Sequence, residues 1–213
     1  MSRPVRVGAR LVKIGAVVLA AGMARRMGTM KVLLAWQDGQ TILEQVIAQL
    51  QVAAVDPVIV VTGNRASEVS VLARAQGATA VLNPDYERGE MLSSLKVGLQ
   101  AMPEAVEAAL VVLGDQPRIQ AQMIVEIVAA YAEGRGRIVA PSFAMRRGHP
   151  LLIDRSLWAE LAALPTMGAP RDVINRHADE IAYVLAADDS VLSDVDTPEQ
   201  YAAERAKAGL PPA

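Results

Sequence analysis

A glycine-rich basic loop, LAAGMARRMGTMK at residues 19–31, directly follows the first long apolar run of the sequence. Glycines let backbone N–H groups approach an anion closely, an arginine can bind two phosphate oxygens at once, and a lysine adds a point charge. Five residues separate Gly22 from Gly28 and Val32 follows Lys31, so the loop is neither a P-loop nor a G-x-G-x-x-G turn. These residue types indicate a polyphosphate site, although a glycine-rich turn with solvated arginines would have the same composition.

Two acidic motifs lie far from this loop along the chain. VVLGDQP at 111–117 places Asp115 after an apolar run, and SDVDTPEQY at 193–201 places Asp194 and Asp196 just before a helix start. Mg²⁺ prefers carboxylate, phosphate and water oxygens, so two distant acids that meet over one triphosphate could hold the cation from two sides. Each motif also has a structural explanation, because Asp is common in turns and acids are favoured at helix N-termini.

Alternating strands and helices must position these motifs. Continuous apolar runs predict strands at 13–20, 57–62, 79–83, 108–114, 137–141, 150–153 and 181–185. Helical spacing of apolar residues predicts helices at 41–53, 66–76, 91–101, 120–134 and 156–164, and a capping box at Thr197 opens a last helix. This order predicts one α/β domain with a Rossmann-like, mostly parallel sheet and helices on both faces. Ligands of such sheets bind beyond the carboxyl ends of the strands, where the basic loop, the Gly-Asp-Gln-Pro segment at 114–117 and Asn83-Pro84 fall.

The composition excludes several classes of function. The 213 residues are 52% hydrophobic but only 3% aromatic and carry a net charge of −2, so neither a basic field nor stacking aromatics for nucleic acid is expected. The apolar runs are shorter than the roughly 20 residues of a membrane span. The chain has no cysteine, which removes disulfides and thiolate chemistry and fits a cytoplasmic enzyme. Residues 1–213 are predicted to form one domain, with 1–12 as a flexible N-terminal extension.

Taken in order, L-A-A-G-x-x-x-R-M-G-x-x-K with a following Leu-Leu pair, then GDQP, then DVDTPEQ resemble the signature of MobA-like nucleotidyltransferases. More narrowly, they resemble the molybdenum cofactor cytidylyltransferase branch. The resemblance implies that Arg26 and Lys31 bind the triphosphate and that Asp115 and Asp196 bind Mg²⁺, with Asp194 as the alternative second ligand. It makes Arg26, Lys31 and Asp115 catalytic, and it implies that the nucleotide is lined by Leu19, Ala20, Ala21, Gly22 and Gly114. Ala24 stands where the family usually has serine, and the role of Arg25 stays open.

Three further segments resemble the family. NPDYERGEMLSSLKVGL at 83–99 corresponds to the part that approaches the nucleobase, which makes Gly89, Ser93 and Ser94 candidates, although either serine could also cap the helix. RRGHPLL at 146–152 corresponds to a turn that faces the acceptor, which implies acceptor binding by Gly148, His149 and Pro150. TMGAPRDVI at 166–174 keeps Arg171 as an acceptor candidate but departs from the family pattern at Thr166, Met167 and Pro170. His177 is expected to be only a helix-end cation.

The resemblance therefore implies a Mg²⁺-dependent nucleotidyltransferase that moves a nucleoside monophosphate from an NTP, with CTP expected, to a phosphate-bearing acceptor. The expected acceptor is molybdopterin cofactor, with a molybdoenzyme as a possible recipient of the product. Alternatives are a sugar phosphate or 2-C-methyl-D-erythritol 4-phosphate as acceptor, or a non-catalytic nucleotide- or cofactor-binding partner of a molybdoenzyme. Retention of two acids favours catalysis, since a binding module has no evident need for both.

Overall fold

Runs of aliphatic residues form the centre of a mixed sheet in the computed structural model, which describes residues 5–7, 10–23, 30–88 and 91–212. The strands are β1 (Val5–Val7), β2 (Arg10–Val12), β3 (Ile14–Ala20), β4 (Val58–Thr62), β5 (Thr79–Leu82), β6 (Ala108–Leu113), β7 (Ile138–Phe143), β8 (Arg146–Arg147), β9 (Leu151–Asp154) and β10 (Ile181–Leu185). The helices are α1 (Ile42–Val52), α2 (Ala66–Ala75), α3 (Met91–Gln100), α4 (Ala121–Ala132), α5 (Trp158–Ala163), α6 (Pro170–Arg176) and α7 (Pro198–Lys207). The strands and helices predicted from periodicity are all present, with ends that differ by a few residues.

The strand order of the main sheet is β10-β7-β9-β6-β3-β4-β5, and β8 pairs with the end of β7. β3 is parallel to both β4 and β6, β4 is parallel to β5, and β10 is parallel to β7. The exception is β9, which lies antiparallel between β6 and β7. The carboxyl ends of the other long strands therefore meet at one edge, which confirms the predicted mostly parallel α/β sheet.

Successive side chains of β3 enter two different hydrophobic cores, as strand geometry requires. Val18 packs with the buried faces of α1, α2 and α4 on one side of the sheet. Val17 packs with α3, α5 and α6 on the other side. Helices on both faces explain why the central strands are continuously apolar rather than alternating.

The N-terminal stretch includes two short strands. Within the stretch predicted as flexible, β1 and β2 pair as an antiparallel hairpin directly before β3. None of the helices in the described part of the chain has the length and apolarity needed to cross a membrane.

Candidate functional site

Lys31 lies between two carboxylates that come from distant parts of the chain. Its Nζ is 2.9 Å from Asp115 Oδ2, and the same nitrogen forms a second ion pair with Asp196 Oδ1. All three side chains are largely buried but reach solvent, with exposed fractions of 19%, 22% and 31% for Lys31, Asp115 and Asp196. The basic loop and the two acidic motifs therefore contribute one charged group each to a single cluster.

Local structure explains how each member reaches the cluster. Lys31 begins a short 3-10 turn, Lys31–Leu33, and Asp115 lies two residues after the end of β6. Asp196 precedes α7, where the Gln200 side chain accepts hydrogen bonds from the backbone N–H groups of Asp196 and Thr197 at 2.8 and 3.0 Å. The two acidic loops also touch each other, because Val195 N donates to the Asp115 carbonyl at 3.1 Å.

The electrostatics of the cluster are set by burial and by these ion pairs. Burial raises the pKa of the Asp115 carboxyl, and the Lys31 charge offsets only part of this effect. Burial acts to lower the pKa of Lys31, but Asp115 and Asp196 together outweigh it and the pKa is raised. The ammonium group is therefore charged and is held by the carboxylates at neutral pH.

Two connected clefts open beside the cluster. A small one lies against Leu19, Ala20, Gly22, Met30, Lys31, Val32 and Asp115. A larger one of about 560 Å³ is lined by Leu19, Ala21, Gly22, Met23, Tyr86, Glu87, Arg88, Met91, Ser94, Leu113, Asp115 and Asp194. Because Leu19, Gly22 and Asp115 line both clefts, the cation-and-carboxylate end and the larger cleft form one continuous site.

The serines predicted near the nucleobase share one hydrogen-bond donor. Asn83 Nδ2 donates to Ser93 Oγ at 2.9 Å and to Ser94 Oγ at 3.0 Å. Ser94 lines the large cleft, whereas Ser93 lines a neighbouring cleft together with Asn83 and Lys96. Of the two predicted serines, Ser94 is the one that faces the site. Gly114, which follows β6, extends the pairing of β6 with β3 under the cleft, because its N–H donates to the Leu19 carbonyl at 3.0 Å.

The predicted acceptor residues fall into separate places. Gly148 and Pro150 are buried, and a Cβ on Gly148 would lie 2.3 Å from the Val191 carbonyl oxygen, so a close backbone approach requires glycine there. His149 is half-buried, and the charges of Arg147 and Asp194 both shift the pKa of its imidazole. Of these two residues, Asp194 lines the large cleft. Arg171 is exposed in the first turn of α6 and is not among the residues that line the two clefts.

The comparison that decides the family covers most of the chain. Residues 16–181 match the MobA-like NTP transferase domain. The chain belongs to this family. The match confirms the family that the motifs predicted.

The relatives of this MobA-like domain include two characterised enzymes by name and a protein with two solved structures. Nicotine blue oxidoreductase of Paenarthrobacter nicotinovorans is 30% identical over 190 residues, which are 86% of this chain and 92% of that protein. Molybdenum cofactor cytidylyltransferase of Escherichia coli strain K12 is 26% identical over 192 residues, 88% of this chain and 93% of that protein. Rv0371c from Mycobacterium tuberculosis H37Rv superposes with a TM-score of 0.78 at 27% identity, covering 92% of this chain and 98% of its own. A second structure of Rv0371c is a complex with manganese, at 26% identity and a TM-score of 0.74, covering 89% and 96%.

The donor set of this MobA-like domain fits a hard divalent cation. Asp115 and Asp196 already enclose one positive charge, the Lys31 ammonium, at a place bordered by an open cleft. Among the described residues, no group of three or more His, Asp and Glu side chains is arranged to hold a metal. Mg²⁺ is commonly bound through one or two carboxylates together with substrate phosphates, so two carboxylates are a sufficient protein contribution.

Two predicted site residues of the MobA-like motifs, Arg26 and Gly89, lie outside the described residues, as do Ala24, Arg25 and Gly28. Their roles stay predictions.

Sequence reasoning missed Gly63 and Tyr86 of this MobA-like domain. A Cβ on Gly63 would lie 2.6 Å from Tyr86 Cβ and 2.7 Å from the Ala21 carbonyl oxygen, so glycine lets the two walls of the large cleft meet. The available signal was a glycine directly after the second predicted strand, at the same sheet edge as the other motifs.

Proposed function

We propose that this protein transfers a nucleoside monophosphate from an NTP to a phosphate-bearing acceptor with the help of a divalent cation. CTP is the proposed donor, a molybdopterin-type cofactor the proposed acceptor and Mg²⁺ the proposed cation. The observation that carries the proposal is the convergence of Asp115 and Asp196 on one positive charge beside the cleft of a MobA-like transferase domain. The likeness to molybdenum cofactor cytidylyltransferase supports the choice of substrates.

The reaction balances without a protein base. An oxygen of the acceptor phosphate forms a bond to the α-phosphorus, the bond from that phosphorus to the α,β-bridging oxygen breaks, and pyrophosphate leaves with the electron pair. The attacking oxygen is already anionic, so catalysis is mainly positioning and neutralisation of charge. A bound divalent cation supplies neutralisation of the phosphate charge.

The residues of this chain perform the remaining tasks. Asp115 and Asp196 hold the cation, and the Lys31 ammonium is available as a donor to phosphate oxygens. Arg26 is proposed as a second cation for the triphosphate. Leu19, Ala21 and Gly22 border the cleft with Tyr86 and Ser94, which gives the nucleoside a partly apolar site with few polar groups.

A pyrophosphate-release assay tests the proposal. CTP, GTP, ATP and UTP are each incubated with and without Mg²⁺ and with a molybdopterin-type cofactor, a sugar phosphate or 2-C-methyl-D-erythritol 4-phosphate, and the product mass is measured. The expected result is Mg²⁺-dependent pyrophosphate release, fastest with CTP and the molybdopterin-type cofactor, and a loss of release in Asp115→Asn. Nucleotide binding without turnover for any acceptor would favour the non-catalytic binding partner.

A second candidate function comes from the relative named nicotine blue oxidoreductase, which is 30% identical. On this proposal the same cleft holds a redox substrate instead of an acceptor phosphate. Nicotine blue is incubated with the protein and a reduced nicotinamide nucleotide, and the change in its absorbance is followed. An Asp115→Asn variant separates the two functions, because loss of a cation ligand should abolish nucleotidyl transfer and leave a redox reaction that needs no cation.

A further inference from the structure

A closed ring of ion pairs lies behind the candidate metal site. Arg118 pairs with Asp189, and its Nε lies 3.1 Å from Glu204 Oε2. Lys207 completes the ring, with its Nζ 2.7 Å from Asp189 Oδ2 and 2.9 Å from Glu204 Oε1. We call these four residues the Arg118 cluster. It borders a groove of about 460 Å³ that faces α1 and is separate from the two clefts of the site.

The two central members of the Arg118 cluster are deeply buried. Arg118 is 10% exposed and Glu204 is 7% exposed. Within the described structure Glu204 Oε2 has no hydrogen bond, so the guanidinium charge is what offsets the burial of this oxygen. Removal of one partner of a buried ion pair leaves an uncompensated charge, which moves the surrounding elements or destabilises them. Arg118 is therefore able to control where its partners lie.

The partners of Arg118 stand on either side of the segment that carries Asp196. Asp189 begins the 3-10 turn Asp189–Leu192, which precedes this segment, and Glu204 lies on α7, which follows it. Arg118 itself belongs to the loop between β6 and α4, three positions after Asp115. One guanidinium thus fastens both ends of the Asp196 segment to the Asp115 loop. The hydrogen bond from Val195 N to the Asp115 carbonyl is a third attachment between them.

We propose that Arg118 is a positioning residue that sets the separation of the Asp115 and Asp196 carboxylates and thereby the affinity of the site for a divalent cation. The inference rests on the proposed metal-dependent function. Arg118 contributes no atom to the cation, because a guanidinium has only N–H donors, and these pair with Asp189 and Glu204. Its effect passes through the backbone of the two acidic loops.

The chain offers a matched control at the other end of the sheet. Arg137 lies just before β7, pairs with Glu180 and donates to Ser156 Oγ at 3.1 Å, so it also joins elements that are distant in sequence. An Arg137→Met variant loses its ion pair with Glu180 and its hydrogen bond to Ser156, far from Asp115, so it controls for the loss of an arginine that joins distant elements. Any effect on metal affinity that Arg118→Met shows and Arg137→Met does not show is therefore specific to the site.

The test measures Mn²⁺ binding directly, by calorimetry on the full chain without nucleotide, at a temperature well below the unfolding transition of every variant. We expect Arg118→Met to weaken Mn²⁺ binding about tenfold or more, Arg118→Lys to restore part of it, and Arg137→Met to stay within twofold of the wild type. The Mg²⁺ concentration for half-maximal turnover should rise in parallel, while nucleotide affinity measured without metal stays unchanged. Asp189→Asn, at a more exposed position, provides the same comparison if Arg118→Met does not fold.

The outcomes separate this inference from the proposed function. If Arg118→Met and Asp189→Asn lower the melting temperature like Arg137→Met but bind Mn²⁺ within twofold of the wild type, Arg118 is a structural residue and the positioning role is wrong. If instead Asp115→Asn binds Mn²⁺ as tightly as the wild type, the metal site itself is wrong, and both proposals fall with it.

Discussion

Lys31 Nζ lies 2.9 Å from Asp115 Oδ2, so a lysine of the basic loop rests directly on the acid that follows β6. The same nitrogen also pairs with Asp196. A divalent cation bound by the two carboxylates would compete with the ammonium group for the same oxygens. A triphosphate offers the displaced ammonium new anionic partners, so we expect metal and nucleotide to assist each other in binding.

The first prediction concerns Lys31→Met. Without metal, the substitution removes the Lys31 charge from its ion pairs with two partly buried carboxylates, and we expect the free energy of unfolding to fall by about 1–3 kcal/mol. Mn²⁺ should then stabilise the variant more than the wild type, because the cation no longer competes with the ammonium group. Thermal unfolding with and without Mn²⁺ measures both effects. The control is Lys31→Met combined with Asp115→Asn, in which Mn²⁺ should have little effect, whereas equal stabilisation of Lys31→Met and the wild type would refute the competition.

The second prediction separates the two acids of the SDVDTPEQY motif. Asp196 shares Lys31 with Asp115, whereas Asp194 is exposed and lines the large cleft. We therefore expect Asp196→Asn, like Asp115→Asn, to reduce kcat/KM by about 100-fold or more and to weaken Mn²⁺ binding. Asp194→Asn should leave Mn²⁺ affinity within a few-fold of the wild type and act mainly on KM. The reverse pattern in the Mn²⁺ titrations would make Asp194 the second ligand.

Periodicity made most of the fold predictable, because β3, β4 and β6 are buried on both faces and read as continuous apolar runs. The antiparallel insertion of β9 between β6 and β7 was not predictable. Three of its four residues are apolar like those of the parallel strands, and nothing local in them encodes the direction of their neighbours. The two-residue strand β8 is too short to have a period at all.

The candidate site was predictable as a set of motifs but not as a set of contacts. The sequence assigned Lys31 to phosphate and Asp115 to metal, and it gave no indication that the two side chains pair with each other. That contact depends on how three loops approach, which tertiary packing decides. Tertiary packing also decides why residue 63 must be glycine, because Tyr86 and Ala21 from other segments leave no space for a side chain there.

The third prediction concerns Gly63→Ala. The added methyl group would lie 2.6 Å from Tyr86 Cβ and 2.7 Å from the Ala21 carbonyl oxygen, so one wall of the large cleft must move. We expect the KM for the nucleotide to rise several-fold with a smaller change in kcat, as measured by steady-state kinetics. Gly136→Ala is the control, since its methyl group would meet the Glu180 carbonyl oxygen at 2.5 Å just before β7, away from the cleft. Equal changes of KM in both variants would point to a general loss of stability.

The fourth prediction uses the two histidines, whose pKa values are shifted in opposite directions. Burial and the nearby Arg147 charge lower the pKa of His149 from 6.5 to about 4, against a smaller opposing effect of Asp194. Hydrogen bonds to Glu180 and Glu160 raise the pKa of His177, whose ring nitrogens lie 3.0 and 2.9 Å from these carboxylates. His177 lies at the end of α6, where a helix-end cation was expected, and it also joins α6 to the segments that carry Glu160 and Glu180.

The sign of each contribution to stability follows from the direction of the shift. His149 folds in the neutral form, so its contribution is present above pH 6.5 and is lost as the pH falls towards 4, by up to roughly 3 kcal/mol. His177 folds in the charged form, so its contribution is fully present below pH 6.5 and is lost as the pH rises through its raised pKa. Urea unfolding of the wild type, His149→Asn and His177→Asn from about pH 4.5 to about pH 8 measures both contributions, because the ordinary histidine pKa of about 6.5 lies inside this range.

Each histidine variant serves as the control for the other, because the acid titration of all remaining groups is common to both. The stability difference between wild type and His149→Asn should shrink as the pH falls, while the difference between wild type and His177→Asn should grow. Slopes of the same sign would show that one of the two shifts is wrong. A flat difference for His149→Asn would show that its imidazole is hydrated in the folded protein, because a ring in contact with water would keep an ordinary pKa and would add nothing to the pH dependence of stability.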